Sequence, residues 1–266
     1  MRPIIRWTLW QRRWSIFWWC LGISAFIGLE LGVYSSIKGQ AAQLNQSLQH
    51  LPNSVRSLFG ANNDLFSPVG YLNSRLFYFL LPILLSNLTI GWGSSLIARE
   101  ETDGTIELLL SRPVSRGRLL LSKILSGLLI TLIITGLATM VTLALVKIVG
   151  LDVPLPRVAE AALMAGLLSL MFGALAFAVA AMGRAGRGAA IGLAVLVGLG
   201  SYIIASLETN VHWLLWPSRF LPYHYYSPTN ILNGHMSWPT AIIYAAISVA
   251  LFFLGWLAFR RRDIAT

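Results

Sequence analysis

The chain has 266 residues, of which 56% are hydrophobic and only 11% are charged, and its formal net charge is +10. Soluble domains carry about 25% charged residues. This composition excludes an ordinary soluble domain and indicates an integral membrane protein, whose scattered basic residues fit contact with anionic lipid and not with nucleic acid.

Six runs of the sequence are long and apolar enough for a helix to cross about 30 Å of hydrocarbon. They cover residues 14–37, 76–98, 124–146, 161–182, 188–207 and 239–259. Backbone groups in lipid must bond internally, and the alternating pattern of a membrane β-barrel does not occur. We therefore predict an all-α protein with six transmembrane helices in a single domain spanning residues 1–266.

The N-terminal residues 1–13 predict a separate amphipathic helix. Trp7, Trp10, Trp14 and Phe17 recur on one helical face, and most of the nearby arginines fall on the opposite side. Such a segment is typical of a helix lying on the membrane surface before the first span. The alternative is an irregular basic end that precedes the first span.

The distribution of Lys and Arg predicts the orientation. If the N-terminus is cytoplasmic, the inner segments contain fourteen basic residues and the outer segments contain six. Short cytoplasmic loops carry an excess of Lys and Arg. We therefore predict that both termini are cytoplasmic.

Polar residues inside the predicted spans are candidates for function. Glu30 is the one acidic residue well inside a span, and such a residue is a candidate for a transport pathway. Alternatively, Glu30 reaches the outer interface or pairs with Lys38 or Arg75. In the second span, Pro82 predicts a kink, and Asn87 is predicted to be a buried amide in the pathway or in a polar pair.

Small residues four positions apart predict close helix contacts within the bundle. These pairs are Gly28 with Gly32, Ser169 with Gly173, and Gly188 with Gly192. The single cysteine, Cys20, lies in the first span and is predicted to be inert packing.

The outer segment 208–238 is rich in aromatic residues and contains three prolines. It is too broken for a span and predicts a re-entrant or interfacial element. The four histidines lack H-x-x-x-H spacing, and the G-x-S-x-G motif is absent. The sequence therefore predicts neither a metal site nor a serine hydrolase.

The segment 97–123 concentrates five basic and four acidic residues between two apolar spans. Asp103 and Gly104 can form a turn, and the apolar positions that follow have the spacing of a short helix, which Pro113 ends. A topology signal needs only basic residues. Charge of both signs beside an apolar helical face therefore predicts a docking surface for another protein.

The same segment, "EETDGTIELLLSRPVSRGRLLLSK", resembles the signature region of ABC-2 type permeases, the membrane subunits of one class of ATP-binding-cassette exporters. The resemblance also includes six spans, the amphipathic N-terminal helix and "YYSPTNILNG" before the last span. It implies that residues 99–123 couple the permease to a separate ATPase subunit. The residues implied in this coupling are Glu100, Glu101, Asp103, Gly104, Thr105, Glu107, Arg112 and Arg116.

The resemblance implies a pair of permeases, identical or related, with two ATPase subunits that bind ATP and Mg. The chain lacks G-x-x-x-x-G-K-[ST], which agrees with an ATPase site on another chain. The expected function is outward transport of a hydrophobic or amphipathic substrate, such as a drug, antibiotic, peptide or lipid, across a plasma membrane, in a prokaryote the inner membrane. The alternative is an ion-driven transporter or a membrane-embedded enzyme that works without an ATPase.

Overall fold

The computed structural model describes residues 2–40, 43, 46, 52–58, 65–102, 116–183 and 186–261, and these residues form helices and short connections with no β-strand. This confirms the all-α prediction. The α-helices are α1 (Arg2–Gln11), α2 (Arg13–Ile37), α3 (Asn53–Leu58), α4 (Pro68–Leu72), α5 (Leu80–Thr102), α6 (Arg116–Val149), α7 (Leu155–Ala181), α8 (Arg187–Leu207), α9 (Leu215–Ser218), α10 (Pro228–Leu232) and α11 (Trp238–Arg261).

Six helical stretches in the described residues are long and apolar enough to cross a membrane, which confirms the predicted number of spans. The second, third and fourth begin six to eight residues before the apolar runs of the sequence, because the helices continue through the polar residues that precede these runs. The stretches are Arg13–Ile37, Pro68–Leu96, Gly117–Val149, Leu155–Ala181, Arg187–Leu207 and Trp238–Arg260.

The second span is interrupted near its beginning. A π-helical turn covers Asn73–Phe77 between α4 and α5, and Tyr78 donates its backbone N–H to the carbonyl of Asn73 over 2.8 Å. Pro82 lies in the first turn of α5, where a missing N–H costs no internal hydrogen bond. The irregularity of this span therefore precedes Pro82.

Helix α7 is the centre of the bundle and packs against α5, α6, α8 and α11. Many of its buried residues are alanine, glycine or serine. Small side chains let neighbouring helices approach closely and make backbone contacts in a membrane. The hydroxyl of Thr89 on α5 donates to the carbonyl of Ser169 over 2.6 Å, and the Ser169 hydroxyl reaches the carbonyl of Pro82 over 3.0 Å.

Of the three predicted small-residue pairs, one lies at a helix contact in the described structure. A Cβ on Gly173 would meet Thr89, whereas a Cβ on Gly28, Gly32, Gly188 or Gly192 would meet nothing within 4 Å. The Gly28–Gly32 and Gly188–Gly192 pairs were expected to pack within the bundle, and this is wrong for the described part of the chain, where no other helix comes within 4 Å of a Cβ at these positions.

The outer segment between α8 and α11 consists of short helices that fold back on α8 and α7. Buried tyrosine hydroxyls tie it to other elements through hydrogen bonds to backbone carbonyls. Tyr226 donates to Phe77 over 2.6 Å, and Tyr244 donates to Pro222 over 2.7 Å. The segment is broken by turns, as predicted, and its depth in the membrane stays a prediction.

The N-terminal residues form helix α1, which packs against α6. Trp7 and Trp10 stack with ring centroids 5.7 Å apart, and the guanidinium of Arg13 lies 4.0 Å from the centre of the Trp10 ring. These rings and those of Trp14 and Phe17 are exposed along the chain surface. Contact of this aromatic surface with lipid headgroups stays a prediction.

Candidate functional site

The predicted coupling segment joins α5 to α6, and most of it lies outside the described residues. Helix α5 continues to Thr102, so that Glu100 and Glu101 occupy its last turn, and Arg116 is the first residue of α6. The predicted coupling residues that lie outside the described residues are Asp103, Gly104, Thr105, Glu107 and Arg112. Their roles, and those of Glu100, Glu101 and Arg116, stay predictions.

The helix ends that flank this segment are held together by side chains. Lys123 on α6 donates its ammonium group to the carbonyl of Leu96 on α5 over 3.5 Å. The indole N–H of Trp256 on α11 points to the carbonyl of Gly117 over 3.4 Å. The ends of α5, α6 and α11 are therefore linked, and a force applied to the coupling segment would reach three spans.

A cavity of about 290 Å³ lies beside α5, and we call it the inner cavity because of the predicted orientation. Its wall residues come from α2, α5, α6 and α8 and from the junction of α1 with α2. They are Arg12, Ser15, Ile16, Trp19, Asn87, Leu88, Gly91, Trp92, Ser95, Ile130, Ile134 and Arg187. Cationic and hydroxyl groups thus share one cavity with apolar and aromatic side chains.

Hydrogen bonds shape two sides of the inner cavity. The Arg12 guanidinium donates to the Ser95 hydroxyl over 3.4 Å, and the Trp92 indole N–H donates to the Thr131 hydroxyl over 3.0 Å. Trp92 also stacks on Phe252 of α11, with ring centroids 5.9 Å apart. Trp92 therefore contacts both α6 and α11 on this side of the cavity.

Asn87 lines the inner cavity and is exposed. The prediction of a buried amide is wrong, because the side chain borders the inner cavity and is not covered by a neighbouring helix at this point. The polar side chain instead faces an open space within the bundle, where water or a ligand can hydrogen-bond with it.

Glu30 lies on α2, away from the residues that line the inner cavity, and is half-buried. Its backbone carbonyl accepts a hydrogen bond of 2.6 Å from the hydroxyl of Tyr71. The recorded hydrogen bond uses the backbone and not the carboxylate, and a role of Glu30 in transport stays a prediction.

A second cavity, of about 580 Å³, lies at the other end of the second span, and we call it the outer cavity. Among the described residues, its wall comes from Ser57 with residues 65–78, from the end of α8, and from residues 226–233. Sequence reasoning missed it. Six of the wall residues belong to the stretch "YYSPTNILNG", and only the fold brings this stretch to the second span and the end of α8.

The outer segment also contains a histidine with a carboxylate partner. His224 Nδ1 lies 2.7 Å from Glu208 Oε2 and 3.3 Å from the hydroxyl of Ser218. In a nucleophilic triad the carboxylate and the serine contact opposite nitrogens of the imidazole, whereas here both contact the same nitrogen. The group therefore fastens the outer segment to α8 and lacks the geometry for hydrolysis.

Among the described residues, no group of three or more His, Cys, Asp or Glu side chains could hold a metal ion. The features of the chain are thus six spans, a cavity of mixed polarity and a second, polar cavity. They define a polytopic helical membrane protein with space for ligands within its bundle.

The chain matches the model of the ABC-2 family transporter protein over residues 11–264. It therefore belongs to the ABC-2 transporter family and is a membrane component of an ABC transporter, a class that works with an ABC ATPase. No curated protein matches the chain.

Proposed function

We propose that this chain is the permease subunit of an ABC exporter, which couples ATP hydrolysis on a separate ATPase to outward transport of a hydrophobic or amphipathic molecule. Two permeases, identical or related, would pair and engage two ATPase subunits that hold ATP and Mg. The expected location is the plasma membrane.

The observation that carries this proposal is the position of the charged segment 97–123. It connects α5 with α6, and α5 forms the most extensive helix contact of the bundle with the central α7. Lys123 and Trp256 link the flanking helix ends. A displacement of the segment by an ATPase would therefore pass directly into the packed centre of the membrane domain.

The inner cavity supports an amphipathic substrate. Arg12 and Arg187 supply positive charge, and Trp19, Ile130 and Ile134 supply apolar surface. A molecule with a polar head and an apolar body can satisfy both parts of such a wall, whereas a fully polar molecule would leave the apolar part in contact with polar groups. The volume is near the lower limit for small-molecule sites, about 300 Å³.

The test is the double variant Glu100→Ala/Glu101→Ala, examined together with its ATPase. Removing one side of a desolvated charge contact costs about 2–5 kcal/mol, so we expect the variant to insert normally but to lose co-purification with the ATPase or substrate-stimulated hydrolysis. Gly104→Val, which alters the predicted turn, should have the same effect.

The matched control is Asp152→Ala/Glu160→Ala. It removes one carboxylate from the connection between α6 and α7 and one from the beginning of α7, at the opposite end of α6 from the coupling segment. We expect this control to dock and hydrolyse ATP as the wild type does. Normal docking, hydrolysis and export in both coupling variants would show that the segment is not the coupling element, and export by purified protein without ATP would favour a standalone transporter.

A further inference from the structure

The outer cavity is lined by uncharged polar groups. Its described wall contains no Asp, Glu, Lys, Arg or His side chain. The residues that form the wall are Ser57, Leu65, Ser67, Val69, Gly70, Asn73, Tyr78, Ala205, Ser206, Thr209, Tyr226, Ser227, Pro228, Thr229, Asn230 and Asn233. Hydroxyl and carboxamide groups therefore provide its chemistry.

The walls are held in place by hydrogen bonds between distant parts of the chain. Tyr78 and Ser206 share a hydrogen bond of 2.9 Å between their hydroxyls, which links the second span to α8. Tyr226 donates to the carbonyl of Phe77 over 2.6 Å and links the outer segment to the π-helical turn. The cavity is therefore present before any ligand arrives, which lowers the cost of ordering on binding.

Two carboxamides are placed at the rim. Asn230 lies in α10 and Asn233 follows its end, three positions further along. Side chains three positions apart on a helical turn lie on the same side, so both amides can reach one ligand. Both side chains are exposed, and each can offer hydrogen-bond donors as well as an acceptor.

The chemistry of this wall selects the class of ligand. A charged ligand would lose hydration without gaining an opposite charge from the described wall residues, and an apolar ligand would leave the carboxamides of Asn230 and Asn233 without partners. An uncharged ligand that is dense in hydroxyl groups can donate and accept on every side. The volume of about 580 Å³ falls within the usual range of small-molecule sites, roughly 300–1,000 Å³.

We propose that the outer cavity binds an uncharged polyhydroxylated group, either a free sugar or the sugar headgroup of a glycolipid. The hydrogen bonds to the ligand come from the side chains of Asn230, Asn233 and Thr229, and Tyr78 and Tyr226 form the floor of the cavity. This binding does not depend on export and is a property of the permease chain itself.

The experiment uses the full chain in nanodiscs of phosphatidylglycerol and phosphatidylethanolamine, without maltoside or glucoside detergents, whose headgroups would compete. Saturation-transfer NMR reports direct contact of maltose, trehalose and methyl β-glucoside with the protein. Glucose 6-phosphate is the charged comparison. We expect contact with at least one neutral sugar, and clearly weaker contact with the phosphate ester.

Asn230→Leu/Asn233→Leu removes the rim amides, and we expect binding to weaken by about tenfold or more, because each lost hydrogen bond contributes severalfold. Gln40→Leu removes an exposed amide that does not line the cavity and should bind as the wild type does. Both variants change exposed side chains, and equal thermal unfolding temperatures would confirm that they fold.

A second experiment distinguishes a free sugar from the sugar headgroup of a glycolipid. Nanodiscs that contain glucosyl diacylglycerol should displace the free sugar if the ligand is a lipid headgroup, while diacylglycerol alone should not. Binding of free sugar without such competition would assign the site to soluble sugars. The proposal is overturned if neither a neutral sugar nor the glycolipid binds, if glucose 6-phosphate binds equally well, or if the rim variant binds as the wild type does.

Discussion

Glycine residues set the distance between α5 and α7. A Cβ placed on Gly93 would lie 2.3 Å from the carbonyl oxygen of Gly173, and a Cβ on Gly173 would lie 2.6 Å from Cβ of Thr89. Both distances are far below van der Waals contact, and backbone atoms cannot move aside cheaply. The two helices could not approach this closely with any larger residue at either position.

We predict that Gly93→Ala or Gly173→Ala destabilises the protein by about 1–3 kcal/mol, the usual range for overpacking. The measurement is the unfolding temperature of the purified permease in detergent. Gly22→Ala is the control, because a Cβ at Gly22 meets nothing within 4 Å and alanine favours a helix. An equal effect of Gly22→Ala and Gly173→Ala would contradict the close-packing explanation.

Tyr71 bonds to the backbone carbonyl of Glu30, so a substitution of the Glu30 side chain tests the role of its carboxylate without removing this hydrogen bond. We predict that Glu30→Gln leaves expression and transport almost unchanged, since the carbonyl that accepts from Tyr71 remains. Tyr71→Phe should instead lower stability by about 1 kcal/mol, as the loss of one hydrogen bond does. A folded and assembled Glu30→Gln variant without transport would assign the carboxylate to the substrate or proton pathway.

At the scale of elements, the outer segment depends on tyrosines that must remain neutral. Burial raises the pKa of Tyr226 and of Tyr223 well above the ordinary value of 10. In the folded segment these hydroxyls stay protonated, whereas in an opened segment they ionise near pH 10. Their contribution to stability is therefore fully present below about pH 10 and is lost as the pH rises further.

We predict that hydrogen exchange in residues 211–236 accelerates above about pH 10 beyond its intrinsic chemical dependence. Tyr226→Phe should accelerate this exchange at neutral pH, because the carbonyl of Phe77 loses its donor, and should weaken the dependence on alkaline pH. Tyr225→Phe is the matched control, since Tyr225 is exposed and its hydroxyl bonds within the segment, to Arg219. Identical exchange in the two variants would contradict the role of Tyr226.

The face of α5 that lines the inner cavity is expected to contact water, whereas the exposed faces of other spans are expected to contact lipid. We predict that Asn87→Cys, in a Cys20→Ser background, reacts with a water-soluble maleimide about tenfold faster than Leu132→Cys, because thiolate formation requires water. Leu132 is 69% exposed but does not line the cavity. Labelling of inside-out membrane vesicles measures the rates, and similar slow rates would show that the cavity is closed to water.

At the scale of the whole molecule, the unequal distribution of basic residues predicts the orientation in the membrane. We predict that Ser115→Cys is labelled by an impermeant thiol reagent only after the membrane is opened, and that Asn62→Cys is labelled in intact cells, both in the Cys20→Ser background. Each variant is the control for the other, because labelling of either one shows that the protein is expressed and the reagent is active. Labelling of Ser115→Cys from outside intact cells would reverse the predicted topology.

The sequence by itself determined the class, the number of spans and the family. Each of these depends on local properties: a run of about 20 apolar residues must form a helix in lipid, and the order of residues in 97–123 is a linear motif. The broken outer segment was predictable for the same reason, since its prolines prevent a continuous helix wherever the rest of the chain lies.

Only the tertiary structure decided which polar residues meet. Asn87 was predicted to be buried because one helix cannot show which of its faces a neighbour covers. The sequence does not distinguish Gly173, which lies at a helix contact, from Gly32, which does not. This difference arises from the packing of α5 on α7. The outer cavity joins residues more than a hundred positions apart, as the Tyr78–Ser206 hydrogen bond shows. Helix packing selects such contacts through the fit of whole surfaces, and no short stretch of sequence contains that information.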